Sequence, residues 1–327
     1  SGVTINEGDL YLYTDFKNDG MVDFLGTTGA TRFVGNTTQK ISGNNTSYFY
    51  NLLFNNTSNS TPFELYNSIS VKNEVIFDYG IVDSQNFGGT STFQQNAVHT
   101  NTSNDSFVDG DVHKIGNTDF LFPIGNKNNY RAAKISAPAL ATEEIKSKYF
   151  LENSNTLYTH SLKQGVIKSI DTNEYWEISQ EVGNSNIIVT LTWDDNTSST
   201  SISQAASKTA IHIVRWDNDN GYWVDEGGIV DEFNKSVTTV SQVSGYGVFA
   251  LALVKEDLIL PGGCLTVYNA LSNNGDGKNE ILKFNCIEKY PNNTVEVFNR
   301  YGIKVFETKG YDNQENSFKG FSDGRLT

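Results

Sequence analysis

The octet NNGDGKNE, Asn273 to Glu280, packs two Gly, two acids and three Asn into eight residues. These are the oxygen donors and turn-forming residues from which calcium loops are built. Setting Gly277 at the invariant glycine of the loop D-x-[DN]-x-[DN]-G-x5-E brings Asp276 and Asn274 onto ligand positions. The first position then falls on Ser272 and the last on Lys283. An ammonium stands where a hard cation needs a bidentate carboxylate, so the EF-hand reading fails. A tight Gly-Asp-Gly turn is the favoured reading, and a looser calcium site built from Asp276, Asn274 and carbonyls is the weaker one.

Other candidates for chemistry thin out in the same way. DFKNDG (Asp15 to Gly20) offers Lys17 at a ligand position, and WDNDNG (Trp216 to Gly221) begins on Trp. Both read as strand-ending turns. The four His residues, His99, His113, His160 and His212, show no metal-ligand spacing, so no metal is expected. GYGVFA, Gly245 to Ala250, fits G-x-G-x-x-A but lies in a β-rich apolar run rather than between a strand and a helix. Asp194, Asp195, Asp217 and Asp219 follow Trp193 and Trp216, an arrangement of acids beside aromatics that suits sugars. A secreted carbohydrate-active enzyme is therefore one alternative and a calcium-dependent lectin another. Strands ending in Asx turns explain the same residues, and the expectation is no enzyme and no cofactor.

The elements that would position these residues are strands. At 327 residues the chain is long enough for two or three domains with their own cores. Asn outnumbers Lys and Arg together, 38 against 24, and Thr, Ser, Gly, Tyr and Phe are abundant, a composition of strands and the turns between them. The formal charge of -14 and the absence of a basic run argue against nucleic acid or an anionic lipid surface as partner. The longest apolar stretch, Val248 to Val254, is far short of the roughly 20 residues of a membrane helix. The chain opens without an initiator Met or a leader, so a removed leader or a longer parent is expected. Cys264 and Cys286 are the two cysteines. In an oxidising compartment they would pair, closing a loop worth roughly 3 kcal/mol. Two buried thiols are the other reading, and sequence leaves that choice open.

Residues 1–110 show short apolar pulses such as YFYNLLFNN and NEVIFDYGIV about every 8 to 12 residues, the spacing of a sandwich or of solenoid coils. Asn-rich corners favour the solenoid, where inward Asn side chains satisfy backbone groups at each bend. Residues 111–255 carry longer, better alternated strands and predict an antiparallel β-sandwich with an aromatic core. Within them ATEEIKSKYF reads as a helix or as an edge strand. Residues 256–263, with Pro-Gly-Gly, form a linker. In 264–327 the hairpin TVEVFNRYGIKVFET puts Val295 and Val297 on one face, as it does Ile303 and Val305, with Asn299 to Gly302 as the turn.

Three spaced motifs in this last segment carry a family resemblance: Asn274 to Glu280, then YPNN at Tyr290 to Asn293, then NRYG at Asn299 to Gly302. Together with FKGFSDGR they resemble the gliding-motility-associated C-terminal domain of Bacteroidota surface proteins, the type B sorting signal of type IX secretion. Tyr301 stands where the family usually has Trp, and members continue through a further strand pair beyond the point where this chain stops. The resemblance implies an Ig-like sandwich, incomplete at its C-terminal end, read by the outer-membrane translocon and by a PorP/SprF-type barrel protein. The expected contacts are the motif residues Asn274, Gly275, Asp276, Gly277, Asn299, Arg300 and Gly302, and the same residues also suit turn geometry alone. The whole then reads as an all-β protein secreted to the cell surface, an adhesin-like or spacer molecule with a surface glycan as a candidate ligand.

Overall fold

The computed structural model describes residues 2–243, 245–255, 266–267, 271–273, 275, 279–299, 304–322 and 325–326. The chain divides into two compact units, 1–254 and 255–327.

The first unit opens as stacked coils whose short strands build three parallel ladders. One ladder runs through Val3–Ile5, Met21–Asp23, Ser47–Asn56, Ile69–Tyr79, Ser91–Phe93 and Val112–Ile115. A second joins Asp9–Leu12 and Ala30–Gly35 to the C-terminal halves of the two long strands and then to Val98–Thr100. A third holds Phe16–Asn18, Gln39–Gly43, Phe63–Leu65, Val82–Asp83, Val108–Asp109 and Ile124–Asn126. Each strand pairs with its counterpart one coil later, as Ser47 does with Ile69 and Ile69 with Ser91. Parallel neighbours need a long return path, and a coil supplies it. The solenoid-like reading of the N-terminal pulses is thus the observed one.

Stacked coils put equivalent residues above one another. Phe33, Phe54 and Phe77 face inward in register, with successive ring centroids 5.7 and 5.8 Å apart, and Phe63 meets Phe33 and Phe54 edge-on from the third ladder. Polar groups close the corners. Buried Asn18 donates from Nδ2 to the carbonyls of Asn45 and Thr46 and to Ser47 Oγ. Buried Gln39 donates to the carbonyls of Leu12 and Thr14, and buried Asn56 donates to the Thr37 carbonyl and to Gln39 Oε1. An unpaired buried carbonyl costs about 1–3 kcal/mol, which is the reason for amides at these bends. Gly43 sits at a close approach between coils: its φ is +125°, and a Cβ there would lie 2.1 Å from the Asn18 carbonyl oxygen.

The expected boundary at residue 110 falls inside this unit. Val112–Ile115 pairs parallel with Ser91–Phe93 on one side and antiparallel with Glu144–Phe150 on the other. The same sheet then continues antiparallel through Tyr175–Val182, Gly247–Val254, Ile211–Asp217 and Tyr222–Asp225. What changes near residue 110 is the direction of pairing, and one hydrophobic core runs from Val22 to Leu251. The antiparallel strands cover what would otherwise be an unpaired coil edge. ATEEIKSKYF supplies the strand Glu144–Phe150, held between two neighbours and so neither helix nor edge. Against this sheet lies a second one of Phe120–Phe122, Ala133–Ile135, Val189–Thr192, Ser236–Thr238 and Ile229–Asp231. Its Ile135, Val189, Leu191 and Val237 share the core with Ile145, Trp176, Ile213 and Phe249, forming the antiparallel sandwich expected for the central region.

One end of the sandwich buries charge. Arg131, Glu174 and Asp171 are 8, 0 and 0 % exposed. Arg131 Nε donates to Glu174 Oε2 at 3.2 Å, and Tyr149 Oη donates to the same oxygen at 2.6 Å. Ser198 Oγ donates to Glu174 Oε1, and Arg131 Nη2 donates to Thr197 Oγ1. Asp171 accepts from the Asn173 amide at 2.8 Å and the Ser199 amide at 3.2 Å.

Burial, and after it the nearby Glu174 charge, pushes the Asp171 carboxyl up to about 7 from its ordinary 3.8. Between those values the folded protein keeps a proton that the unfolded chain has released. Stability from this group is therefore fully present below pH 4 and is lost as pH rises through 7. The loss amounts to up to about 4 kcal/mol at 1.36 kcal/mol per pH unit. Asp171→Asn is expected to flatten the decline, measured as urea midpoints from pH 4 to 8 followed by Trp fluorescence. An unchanged slope in the variant would count against this assignment.

Candidate functional site

The candidate recognition residues lie in the second unit. Its described residues form three two-stranded antiparallel ladders: Thr266–Val267 with Phe284–Asn285, Thr294–Phe298 with Lys304–Lys309, and Phe321–Ser322 with Arg325–Leu326. Ile287, Val295, Tyr311 and Phe318 make a small core, flanked by Leu271, Leu282, Phe284, Val297, Val305 and Phe306. So few strands cannot bury much apolar surface, and side-chain hydrogen bonds supply much of the remaining order.

Asn and Tyr side chains act as buckles. Asn293, the last residue of YPNN, donates from Nδ2 to the Tyr290 carbonyl at 2.8 Å and the Tyr311 carbonyl at 3.0 Å. Its Oδ1 accepts from the Tyr311 amide at 2.7 Å, so one amide ties the turn before the hairpin to the chain after it. Asn313 imitates a strand neighbour: Oδ1 accepts from the Phe284 amide at 2.8 Å, and Nδ2 donates to the Phe284 carbonyl. The buried Tyr311 hydroxyl donates to the Leu282 carbonyl and accepts from the Phe318 amide at 2.9 Å. Sequence reasoning placed Asn293 in a motif but assigned it no role, and it passed over Asn313 and Tyr311. Tyr311 for Asn293, Phe284 for Asn313 and Leu282 for Tyr311 each lie 18 to 29 residues away along the chain, where a local pattern carries no signal.

The octet is closed at its base by the Ser272 amide donating to the Asn279 carbonyl at 2.7 Å. Asn273 Nδ2 donates onward to the Lys319 carbonyl at 3.1 Å. Between these ties Gly275 is exposed with φ +78°, and a Cβ there would meet nothing within 4 Å. Glycine is thus required by backbone conformation and not by a close neighbour. Asn274, Asp276, Gly277, Arg300, Gly302 and Cys264 lie outside the described residues. Asn299 follows the first hairpin strand, which ends at Phe298, and makes contacts of its own, and Cys286 is disulfide-bonded.

The hairpin pairs antiparallel with one irregularity, and Ile303 lies outside the described residues. Val295 lies opposite Thr308, and Val297 opposite Phe306. The register then shifts, so that Phe298 faces Lys304. This bulge lets the adjacent residues Val305 and Phe306 both pack on the core. On the solvent side Lys304 reaches Glu296 at 3.0 Å and Glu307 at 2.6 Å. Exposed pairs of this kind add little stability.

Three turn motifs in fixed order, set on a hairpin and a closed loop, are features that a sequence-family comparison can decide. Residues 265–326 match the CHU_C type IX secretion signal domain. No curated protein and no solved structure matches the chain. A type IX secretion signal marks its carrier for export. The protein is therefore a secreted or cell-surface one whose C-terminal sorting domain interacts with the type IX machinery. Among the described residues no helix is long and apolar enough to cross a membrane.

Three of the acids considered for sugar chemistry, in the first unit, have partners of their own. Asp194 Oδ1 accepts from the Asn196 amide at 2.8 Å, and Asp195 pairs with Lys235 at 2.7 Å. Asp217 accepts from the Asp219 and Asn220 amides at 3.0 and 3.2 Å. These are Asx turns and a surface ion pair. Among the described residues no three His, Cys, Asp or Glu side chains converge as a metal-binding group.

Proposed function

We propose that the protein is an adhesin-like or spacer molecule of a gliding Bacteroidota cell surface, working by binding and without catalysis or cofactor. The signal domain would be handed to the translocon and retained by a PorP/SprF-type barrel protein, with the octet and the hairpin tip as its contacts. The observation that carries this reading is the pairing of an export signal with a 254-residue unit of stacked coils and sandwich sharing one core. Such a unit presents a large polar outer surface on a backbone stiffened by inter-coil hydrogen bonds, which suits contact outside the cell. A surface glycan is the ligand class in best accord with the charge of -14, which disfavours acidic polymers.

The test is attachment. Cells lacking the protein should bind polysaccharide-coated surfaces more weakly than the parent and recover when the gene is restored. Equal attachment on every coating tried would sink the adhesin reading.

A further inference from the structure

At the end of the sandwich that buries Arg131 and Glu174, four chain segments surround a shallow, solvent-open groove of about 470 Å³. Its lining includes Asn129, Glu152, Asn153, Asn173, Asn196 and Thr197. The volume falls within the roughly 300–1,000 Å³ typical of small-ligand sites. We infer that this groove is a binding subsite for a neutral carbohydrate. The inference rests on the adhesin reading and names where its glycan would sit.

The rim is held before any ligand arrives. Lys127 Nζ donates to the Leu151 carbonyl at 3.1 Å, tying the 126–130 turn to the segment that follows Glu144–Phe150. The Tyr130 amide donates to Asn104 Oδ1 at 2.9 Å. Asn173 Nδ2 donates to the Thr197 carbonyl at 3.1 Å, joining the other two segments. Beneath them the buried Arg131 donates to Thr197 Oγ1 and to Glu174, and Ser198 also donates to Glu174. A site whose loops are cross-tied loses little conformational freedom on binding.

The groups left over set the ligand class. Among the described residues the Asn196 side chain has no hydrogen-bond partner, and Asn153 uses Oδ1 for the Asn155 amide with no partner there for its Nδ2 donors. Asn129 uses Nδ2 for the Lys127 carbonyl and keeps Oδ1 as an acceptor. A mixture of neutral donors and acceptors suits the hydroxyls of a sugar. A phosphate or carboxylate ligand would need a cation, and Lys127 is already shared between the Leu151 carbonyl and Glu152 at 3.8 Å.

The experiment is affinity electrophoresis of the whole chain through native gels containing dextran, laminarin, galactomannan or xylan, with alginate as the acidic control. At least one neutral polymer should retard the protein, with retardation weakened roughly tenfold in Asn153→Ala/Asn196→Ala by the loss of two neutral hydrogen-bonding groups. Alginate should retard neither protein. Equal retardation of both proteins, retardation by alginate alone, or none by any neutral polymer overturns the inference. Trp fluorescence melts confirm that the variant is folded, and Asn196→Asp provides a same-sized second variant in which retardation should also fall. A chromosomal Asn153→Ala/Asn196→Ala strain that attaches like the parent, while the deletion strain does not, overturns the subsite and leaves the adhesin reading standing. A deletion strain that attaches normally overturns the adhesin reading itself.

Discussion

A chain ending at Val254 is expected to fold and yet to be missing from the cell surface. Residues 1–254 form a compact unit with a continuous core, so removing 255–327 takes away no strand of its sheets. The export signal is wholly on the other side of the cut, at 265–326. Protease shaving of intact cells should release fragments of the whole protein and none of the shortened one, while cell lysates contain both. All four Trp, at 176, 193, 216 and 223, lie in the first unit. Trp-monitored urea unfolding of purified whole and shortened chains should therefore give closely similar midpoints. Surface display of a well-folded 1–254 chain would show that export is directed from elsewhere.

Replacing Arg131 with Met is expected to lower the stability of the first unit by about 3–5 kcal/mol, the usual result of leaving a buried charge without its partner. Glu174 is fully buried and would keep only the Tyr149 and Ser198 hydroxyls as donors. The effect should reach further than the pair, because Arg131 also anchors Thr197. Adding Glu174→Gln should recover much of the loss, since the remaining group is then neutral: its one oxygen accepts from one hydroxyl, and its NH2 can donate to the oxygen of the other. A double-mutant cycle on urea midpoints, read by Trp fluorescence, measures the coupling directly. Independent, additive effects of the two substitutions would show that the ion pair contributes little. Asp171 belongs to the same charge cluster, so its pH dependence should shift in the Glu174→Gln background, where the second cause of its raised pKa is gone.

Much was legible because it is local. Alternating pulses and Asn-rich bends specified strands and coil corners, and the side chains of Asn18, Gln39 and Asn56 do occupy those corners. The alternation of Glu144–Phe150 is likewise visible, with Ile145, Ser147 and Tyr149 inward. Its neighbours are not, since an interior strand and an edge strand can share one pattern. The break proposed at residue 110 has the same origin: the strands do lengthen and alternate better there, but pattern carries no information about whether two regions share a sheet.

The sequence by itself determined that the chain is all-β, that its N-terminal strands are short and recur at a spacing that suits coils or a sandwich, and that its last segment carries the three ordered turns of a type IX signal. Residue type and spacing are enough for each of these. Only the tertiary structure decided that coils and sandwich share one sheet and one core, that Asn293, Asn313 and Tyr311 buckle the signal domain, and that Arg131, Asp171 and Glu174 meet beneath an amide-rimmed groove. Each depends on partners far apart along the chain, and what joins them is the burial of backbone and charged groups that must find partners wherever the fold brings them.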